Sequence, residues 1–230
     1  MEQLELGPLV IKNRLIVSTF NFIDDRLGIK EILDDEVFEK IVPAHLTFWS
    51  CFGGISFFIF ITQVITGTLL MVYYEPTIAK AHSSVVALVN DVPFGWLYRG
   101  LHAWGANLMI ITIFIHMGKI FISGIYKSPR ELNWVVGVTL FNLTLGLAFT
   151  GYLLPWTQLA YWATVVGSEV PAALPYGEYI RYAMRGGEHI GQVTLTRFYA
   201  IHVMVLPLLT ILVIGLHLVQ IRRQGIARPM

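Results

Sequence analysis

The 230-residue sequence has few charged residues and almost no cysteine. Only 13% of its residues are Asp, Glu, Lys or Arg, whereas a soluble domain carries roughly 25%. The formal net charge of +1 gives no indication of nucleic-acid binding. The single cysteine, Cys51, excludes an intrachain disulfide, and no cleavable signal peptide is evident. With 55% hydrophobic residues, the chain is expected in a membrane rather than in water.

Four apolar segments are long enough to cross a bilayer, which takes about 20 mostly apolar residues. Pro155 should end the third of them, because proline interrupts a helix. The sequence therefore predicts an all-α membrane protein, a four-helix transmembrane bundle with short surface helices. The predicted parts are a charged arm with a surface helix (1–45), span A (about 46–74), span B (about 97–122), span C (about 132–154), span D (about 198–221) and a tail (222–230).

The distribution of basic residues predicts the orientation of the bundle. Eleven of the sixteen Lys and Arg residues lie in the N-terminal arm, the B–C connection and the tail. Cytoplasmic flanks carry such an excess, so both termini are expected on the negative side of the membrane, here the n-side, and the A–B and C–D connections on the opposite p-side. The long C–D connection contains the stretches TQLAYWATVV and EYIRYAMR, which are expected to form surface helices.

Two spans each carry a pair of histidines. Span B has His102 and His116, and span D has His202 and His217. At about 100° and 1.5 Å per residue, spacings of 14 and 15 residues place each pair on one side of its helix, roughly 21 and 22 Å apart. Spans B and D run in the same direction, so His102 can face His202 and His116 can face His217. Facing imidazoles at two depths are typical ligands for two haem irons that carry electrons.

Other interpretations of the histidines remain open. They could hydrogen-bond between buried helices, or they could form a proton relay, although no carboxylate lies within the four spans. Gly53 and Gly67 in span A, and Gly137 and Gly151 in span C, are also 14 residues apart. Glycine permits close backbone approach to a flat ligand, so these four are predicted to flank both haems, although small residues also serve ordinary helix packing.

Several stretches resemble cytochrome b6, the split N-terminal form of cytochrome b. The likeness runs from about Asp24 to the end, with the first twenty or so residues extra, and the motifs occur in family order. They are VPAHLTFWSCFGGISF, FGWLYRGLHAWGANLM, SPRELNWVVGV, TGYLLPW, TLTRFYAIHVMVLPLL and IRRQGIARP.

The resemblance implies ligands and neighbours for three haems. His102 and His202 resemble ligands of a p-side b haem, and His116 and His217 those of an n-side b haem. Cys51 resembles the residue that holds an extra c-type haem through one thioether, beside an n-side quinone pocket. Propionate contacts are implied for Arg99, Arg197, Lys119 and Arg130, although Lys119 stands where the family often has Arg and Ala103 where it has another Arg. Asp35 and Arg222 match residues proposed for n-side quinone binding or proton uptake.

The resemblance also implies partners and a reaction. Such a chain is the electron-transfer subunit of a quinol:cytochrome c or plastocyanin-type oxidoreductase, which runs a proton-translocating Q-cycle in a bacterial cell membrane or thylakoid. Its expected partners are a Rieske iron–sulfur protein, a c-type cytochrome and a second copy of the complex. The resemblance places a p-side quinol pocket at the end of span C and the stretch after Pro155, where Thr157 replaces a common Asp. The family's PEWY motif does not occur here, so a C-terminal cytochrome b half is expected from a separate, subunit IV-like chain.

Two other functions remain as alternatives. A di-haem, quinone-reactive anchor of another dehydrogenase or reductase would lack a Rieske partner. A haem-free transporter or structural subunit would be colourless.

Overall fold

The computed structural model describes residues 4–6, 8–34 and 47–225. The chain divides into two compact units, Met1–Leu46 and Thr47–Met230. The predicted n-side residue Asp35 lies outside the described residues.

The first unit contains a hairpin and two helices. Strand β1 (Leu4–Leu6) pairs antiparallel with β2 (Leu9–Ile11), a small departure from the all-α expectation. Helix α1 (Arg14–Leu27) begins after Asn13, whose side-chain oxygen accepts the backbone N–H of Leu15 at 3.0 Å, as an N-cap residue does. It ends at Gly28, which has a φ of +59° and precedes α2 (Ile29–Leu33).

The second unit is helical throughout its regular structure. Its elements in chain order are a 3₁₀ turn (Phe48–Cys51), α3 (Phe52–Tyr73), α4 (Ala81–Asp91), α5 (Gly95–Ile122), α6 (Glu131–Leu153), α7 (Gln158–Glu169), a 3₁₀ turn (Pro171–Ala173), α8 (Gly177–Arg185), α9 (Gln192–Ala200), a π-helical turn (Ile201–Val205) and α10 (Leu206–Gln224).

Four continuous helices in this unit are long and apolar enough to cross a membrane. Span A is Phe48–Tyr73, span B Gly95–Ile122, span C Glu131–Leu153 and span D Gln192–Gln224. Span D begins earlier than the sequence predicted, because the hydroxyl of Thr194 accepts the backbone N–H of Gly191 at 3.1 Å and starts α9 there. Helix α4 in the A–B connection was not predicted.

The distribution of side chains is that of a membrane protein. Large apolar residues point outward, with Phe58 70% and Ile122 86% exposed. Small polar residues lie inside instead, and the hydroxyl oxygens of Ser56 in span A and Thr112 in span B lie 3.0 Å apart, within hydrogen-bond distance. Transmembrane helices pack through such small residues, because burying apolar side chains gains little when the surroundings are lipid. Span A packs mainly on span B, and span C mainly on span D, which confirms the predicted four-helix bundle.

The C–D connection forms an ordered layer of short helices at one end of the bundle. Both predicted surface helices are present, as α7 and α8. Arg185 of α8, only 6% exposed, connects this helix to α7 through hydrogen bonds. Its guanidinium donates to the hydroxyl of Ser168 at 2.8 Å and to the carboxylate of Glu169 at 2.7 Å. The hydroxyl of Thr194 donates to the backbone carbonyl of Arg185 at 2.6 Å and joins this layer to span D.

Candidate functional site

The structure brings the four histidines together in the predicted pairs. The ring centroids of His102 and His202 lie 6.3 Å apart, with the two planes at 81°. His116 and His217 are close enough to interact electrostatically. We call these the His102–His202 site and the His116–His217 site.

A local change of helix geometry brings the histidines of span D into phase. The spacing is 14 residues in span B and 15 in span D. His202 lies in the π-helical turn, where the backbone N–H of Leu206 donates to the carbonyl of Ile201, five residues earlier. Pro207 follows directly and cannot donate a backbone hydrogen bond, which explains the break in the regular ladder. Because a π turn takes up an extra residue, fifteen steps in span D present the same face as fourteen in span B.

Each histidine faces one of the four predicted glycines. A methyl group at Gly53 would lie 2.9 Å from Cε1 of His116, and one at Gly67 would lie 3.2 Å from Cε1 of His102. The same addition at Gly151 would lie 2.6 Å from Cε1 of His202, and at Gly137 3.7 Å from Cε1 of His217. Spans A and C therefore back the imidazoles of spans B and D at both sites. Gly53 and Gly151 lack room for a larger side chain, Gly67 is tight, and Gly137 would make an ordinary contact.

Two threonines contact the histidines of one site. The hydroxyl of Thr66 lies 3.0 Å from Nδ1 of His102, and that of Thr150 3.2 Å from Nδ1 of His202. Neither threonine was predicted as a site residue, although each directly precedes one of the four predicted glycines. At the other site, Nδ1 of His116 and Nδ1 of His217 are buried and find no hydrogen-bond partner within the described part of the chain.

The donor set suits a metal held by a planar macrocycle. No group of three or more His, Cys, Asp or Glu side chains able to hold a metal occurs among residues 4–6, 8–34 and 47–225. Two imidazoles supply only two ligands, so the remaining positions must come from the cofactor, as in haem. A metal–nitrogen distance of about 2 Å on each side, plus the distance from each nitrogen to its ring centre, is compatible with the 6.3 Å separation at the His102–His202 site.

The predicted propionate partners differ in their surroundings. Arg99 acts electrostatically on His102, one helical turn away, and Lys119 on His116. The Arg197 guanidinium donates to the carbonyl of Ala183. Arg130 donates to the carbonyls of Gln224 at 2.9 Å and Gly225 at 3.0 Å, so in this structure it binds the end of span D. Arg222 lies in the last turn of span D.

Cys51 lies at the same end of the bundle as the His116–His217 site. It is a free, exposed thiol at the end of the 3₁₀ turn that opens span A. Gly53, two residues further on, faces His116. The aromatic rings of Trp49 and Phe52 stack beside this turn at 5.9 Å. The thiol is therefore available for modification close to one histidine pair.

An open pocket lies just after span C, among Trp156, Thr157, Gln158, Tyr161 and Trp162. This is the stretch where the sequence analysis expected a quinol pocket. It is lined mainly by aromatic rings, and the side chain of Thr157 accepts the backbone N–H of Ala160 at 3.2 Å, which caps α7.

Comparisons with known proteins agree with this arrangement. The family model described as Cytochrome b/b6/petB matches residues 37–225. Cytochrome b6 of Synechococcus sp. (strain WH7803) is 43% identical over 212 residues, covering 92% of this chain and 97% of that protein. Cytochrome b6 of Gracilaria tenuistipitata var. liui is 45% identical over 214 residues, with 93% and 99% covered.

A solved chain of a hyperthermophilic respiratory Complex III superposes with a TM-score of 0.85 and 36% identity. The match covers 91% of this chain and 56% of that one, so this chain spans little more than half its length. Four membrane-spanning helices, paired histidines and the family match over most of the chain lead to one assignment. The chain belongs to the cytochrome b/b6 family of membrane proteins, which bind b-type haem.

Proposed function

We propose that this chain is the electron-transfer subunit of a quinol-oxidising cytochrome bc/b6f-type complex, with His102 and His202 holding one b haem and His116 and His217 a second. The observation that carries this proposal is the pairing of histidines from spans B and D at two depths, each pair backed by glycines of spans A and C. When bound, the haems would supply one-electron carriers, each held by one histidine of span B and one of span D.

The chain's own residues position the cofactors and neutralise the charge of their propionates. Neutral imidazoles are the form that ligates a metal, and neutrality also avoids a buried charge in lipid. The glycines keep the backbones of spans A and C close to the histidines. Arg99 and Lys119, one near each site, are suited to balance propionate charges through charge-assisted hydrogen bonds.

The proposed reaction uses the two ends of the bundle differently. Quinol is oxidised on the p-side, beside the pocket formed by Trp156 and its neighbours, and quinone is reduced on the n-side. We assign the His102–His202 site to the p-side and both termini to the n-side, in agreement with the excess of basic residues there. Asp35 and Arg222 are proposed for quinone binding or proton uptake, and Cys51 for single-thioether attachment of a haem c beside the n-side pocket.

The proposed partners are a C-terminal cytochrome b half, a Rieske iron–sulfur protein, a c-type cytochrome and a second copy of the complex, all in a lipid bilayer. Coverage of 97% and 99% of two cytochrome b6 relatives supports a split cytochrome b. Co-purification with a Rieske protein would distinguish this assembly from a di-haem anchor of another dehydrogenase or reductase.

Ligand replacement tests the haem assignment. We expect the purified wild-type protein to show two b-type haems in a redox titration. His102→Leu should remove one component, and His217→Leu should remove the other. Replacement of His189, which lies in the C–D connection, with Leu is the matched control and should retain both. A full two-haem spectrum in both ligand variants would overturn the assignment.

A further inference from the structure

The residue before each singled-out glycine differs between the two histidine sites. Thr66 precedes Gly67 and Thr150 precedes Gly151, at the His102–His202 site. Phe52 precedes Gly53 and Val136 precedes Gly137, at the His116–His217 site. One site therefore has a hydroxyl on both backing helices, and the other has an apolar side chain at both equivalent positions.

The other hydrogen bonds of the two threonines bear on whether each hydroxyl donates to its histidine or accepts from it. Thr66 donates to the carbonyl of Thr62 at 2.6 Å, and Thr150 donates to the carbonyl of Gly146 at 2.8 Å. A hydroxyl has a single proton to donate, so a threonine that gives this proton to the carbonyl accepts from the histidine. In that arrangement Nδ1 of His102 and Nδ1 of His202 carry the proton, for which the backbone carbonyls of Gln63 and Leu147 are further acceptors, and Nε2 of each ring keeps its lone pair.

This hydrogen bond fixes the tautomer of each histidine as well as the orientation of its ring. A metal-binding histidine is oriented by the hydrogen bond that its other ring nitrogen makes, and that bond raises the basicity of the ligating nitrogen. Both threonines are buried, at 4% and 7% exposure, so water does not compete readily for these bonds. At His116 and His217, Nδ1 lacks such an acceptor within the described part of the chain.

We propose that Thr66 and Thr150 are positioning residues that hold His102 and His202 in the Nδ1–H tautomer and strengthen their Nε2 atoms as donors, which makes the two haem sites electronically unequal. This inference rests on the proposed function. A stronger nitrogen donor stabilises the oxidised metal, so the threonines lower the midpoint potential at the His102–His202 site relative to a site without them.

Redox titration of valine and serine variants tests the proposal. Thr66→Val and Thr150→Val keep the shape of the side chain but remove the acceptor, and each should raise the midpoint potential of the component that His202→Leu abolishes. The other component should not move. Thr66→Ser retains a hydroxyl and should titrate like the wild type. Val136→Thr introduces a hydroxyl directly before Gly137, the position that corresponds to Thr150 before Gly151, and should lower the potential of the second component.

Thr144→Val provides the matched control. Thr144 is buried in span C and donates to the carbonyl of Leu140 at 2.9 Å, so its replacement loses the same type of helix bond and should shift neither potential. The proposal is overturned if the valine variants leave the first component unmoved, if they move both components equally, or if Thr66→Ser behaves like Thr66→Val. If a valine variant loses its haem, Thr66→Ser and Val136→Thr decide instead. A wild-type protein without two b haems would overturn the proposed function itself, which separates the two failures.

Discussion

Gly151 lies so close to His202 that a methyl group at its Cα would approach the imidazole Cε1 to 2.6 Å. Ordinary side-chain carbons do not come this near to another heavy atom. The corresponding distance from Gly137 to His217 is 3.7 Å, an ordinary van der Waals contact. The four glycines therefore differ in how strictly they exclude a side chain, which leads to a graded prediction.

We expect Gly151→Ala to displace His202 and Gly53→Ala to displace His116, with Gly67→Ala less severe and Gly137→Ala tolerated. Overpacking of this kind costs about 1–3 kcal/mol. The measurements are haem content per protein and the midpoint of thermal unfolding. Gly54→Ala is the control, because nothing lies within 4 Å of its added methyl group. Equal effects at Gly151 and Gly137 would contradict the prediction.

Cys51→Ser should remove a covalently attached haem and leave both b haems in place. The thiol is exposed and is not one of the four histidine ligands, so its loss should affect the proposed thioether and neither histidine pair. Haem staining after denaturing electrophoresis should be lost, while the b-type redox titration is retained. Ser50→Ala, in the same turn, should keep the stain. An unstained wild-type band would show that no haem is attached at Cys51.

Replacing Arg185 with Met should loosen the surface helices α7 and α8. The substitution removes the hydrogen bonds from Arg185 to the hydroxyl of Ser168 and to the carboxylate of Glu169, and the buried Ser168 hydroxyl is left without this charged donor, which is destabilising. Limited proteolysis within residues 158–185 should accelerate. Lys80→Met is the control, because its ion pair with Glu75 is largely exposed and contributes little.

The ion pair between Arg185 and Glu169 also predicts a response to acid. Hydrogen bonding to Arg185 holds the pKa of Glu169 below its ordinary value. Because the pKa is lower in the folded state, the ionised carboxylate stabilises the protein at pH values above its unfolded pKa of about 4.3. This stabilisation is lost as the pH falls through the folded-state pKa. Proteolysis of the wild-type layer should therefore increase only in acid, and Glu169→Gln should reduce that pH dependence. An unchanged acid response in Glu169→Gln would contradict this.

Tyr74→Phe should weaken the contact between the adjacent ends of spans A and C. The Tyr74 hydroxyl donates to the carbonyl of Leu154 at 2.6 Å, a bond that contributes about 0.5–1.5 kcal/mol. Burial raises the pKa of Tyr74 above its ordinary value. A raised folded-state pKa keeps this contribution intact below the unfolded value of about 10. The stability difference between wild type and variant should thus stay constant from pH 6 to 9, and a decrease across that range would contradict the prediction.

Several features of the site followed from spacing alone. A lipid-exposed chain must satisfy its backbone internally, so long apolar runs predict helices, and helical periodicity then predicts which side carries the histidines. The two histidines are 14 residues apart in span B and 15 in span D, and periodicity alone could not explain how both pairs align. In uniform helices the extra residue rotates one histidine about 100° further around the axis. The π-helical turn at Ile201–Val205 removes this difference, and Pro207 is the sequence feature that could have indicated it.

Other features depended on contacts between distant residues. Arg130, a predicted propionate partner, donates to the carbonyls at the end of span D, a contact that its position in the sequence did not indicate. Thr66 and Thr150 looked like ordinary helix residues until the structure placed them against His102 and His202. Helix α4 and the buried position of Arg185 were likewise absent from the sequence-based prediction.

Composition and periodicity alone determined that this chain crosses a membrane four times and presents two histidines on each of two helices, because both properties arise within single helices. The tertiary structure decided which hydroxyls and glycines meet those histidines. These contacts join residues that are 35 to 80 positions apart in the chain, and only the packing of one helix against another brings such residues within hydrogen-bond or van der Waals distance.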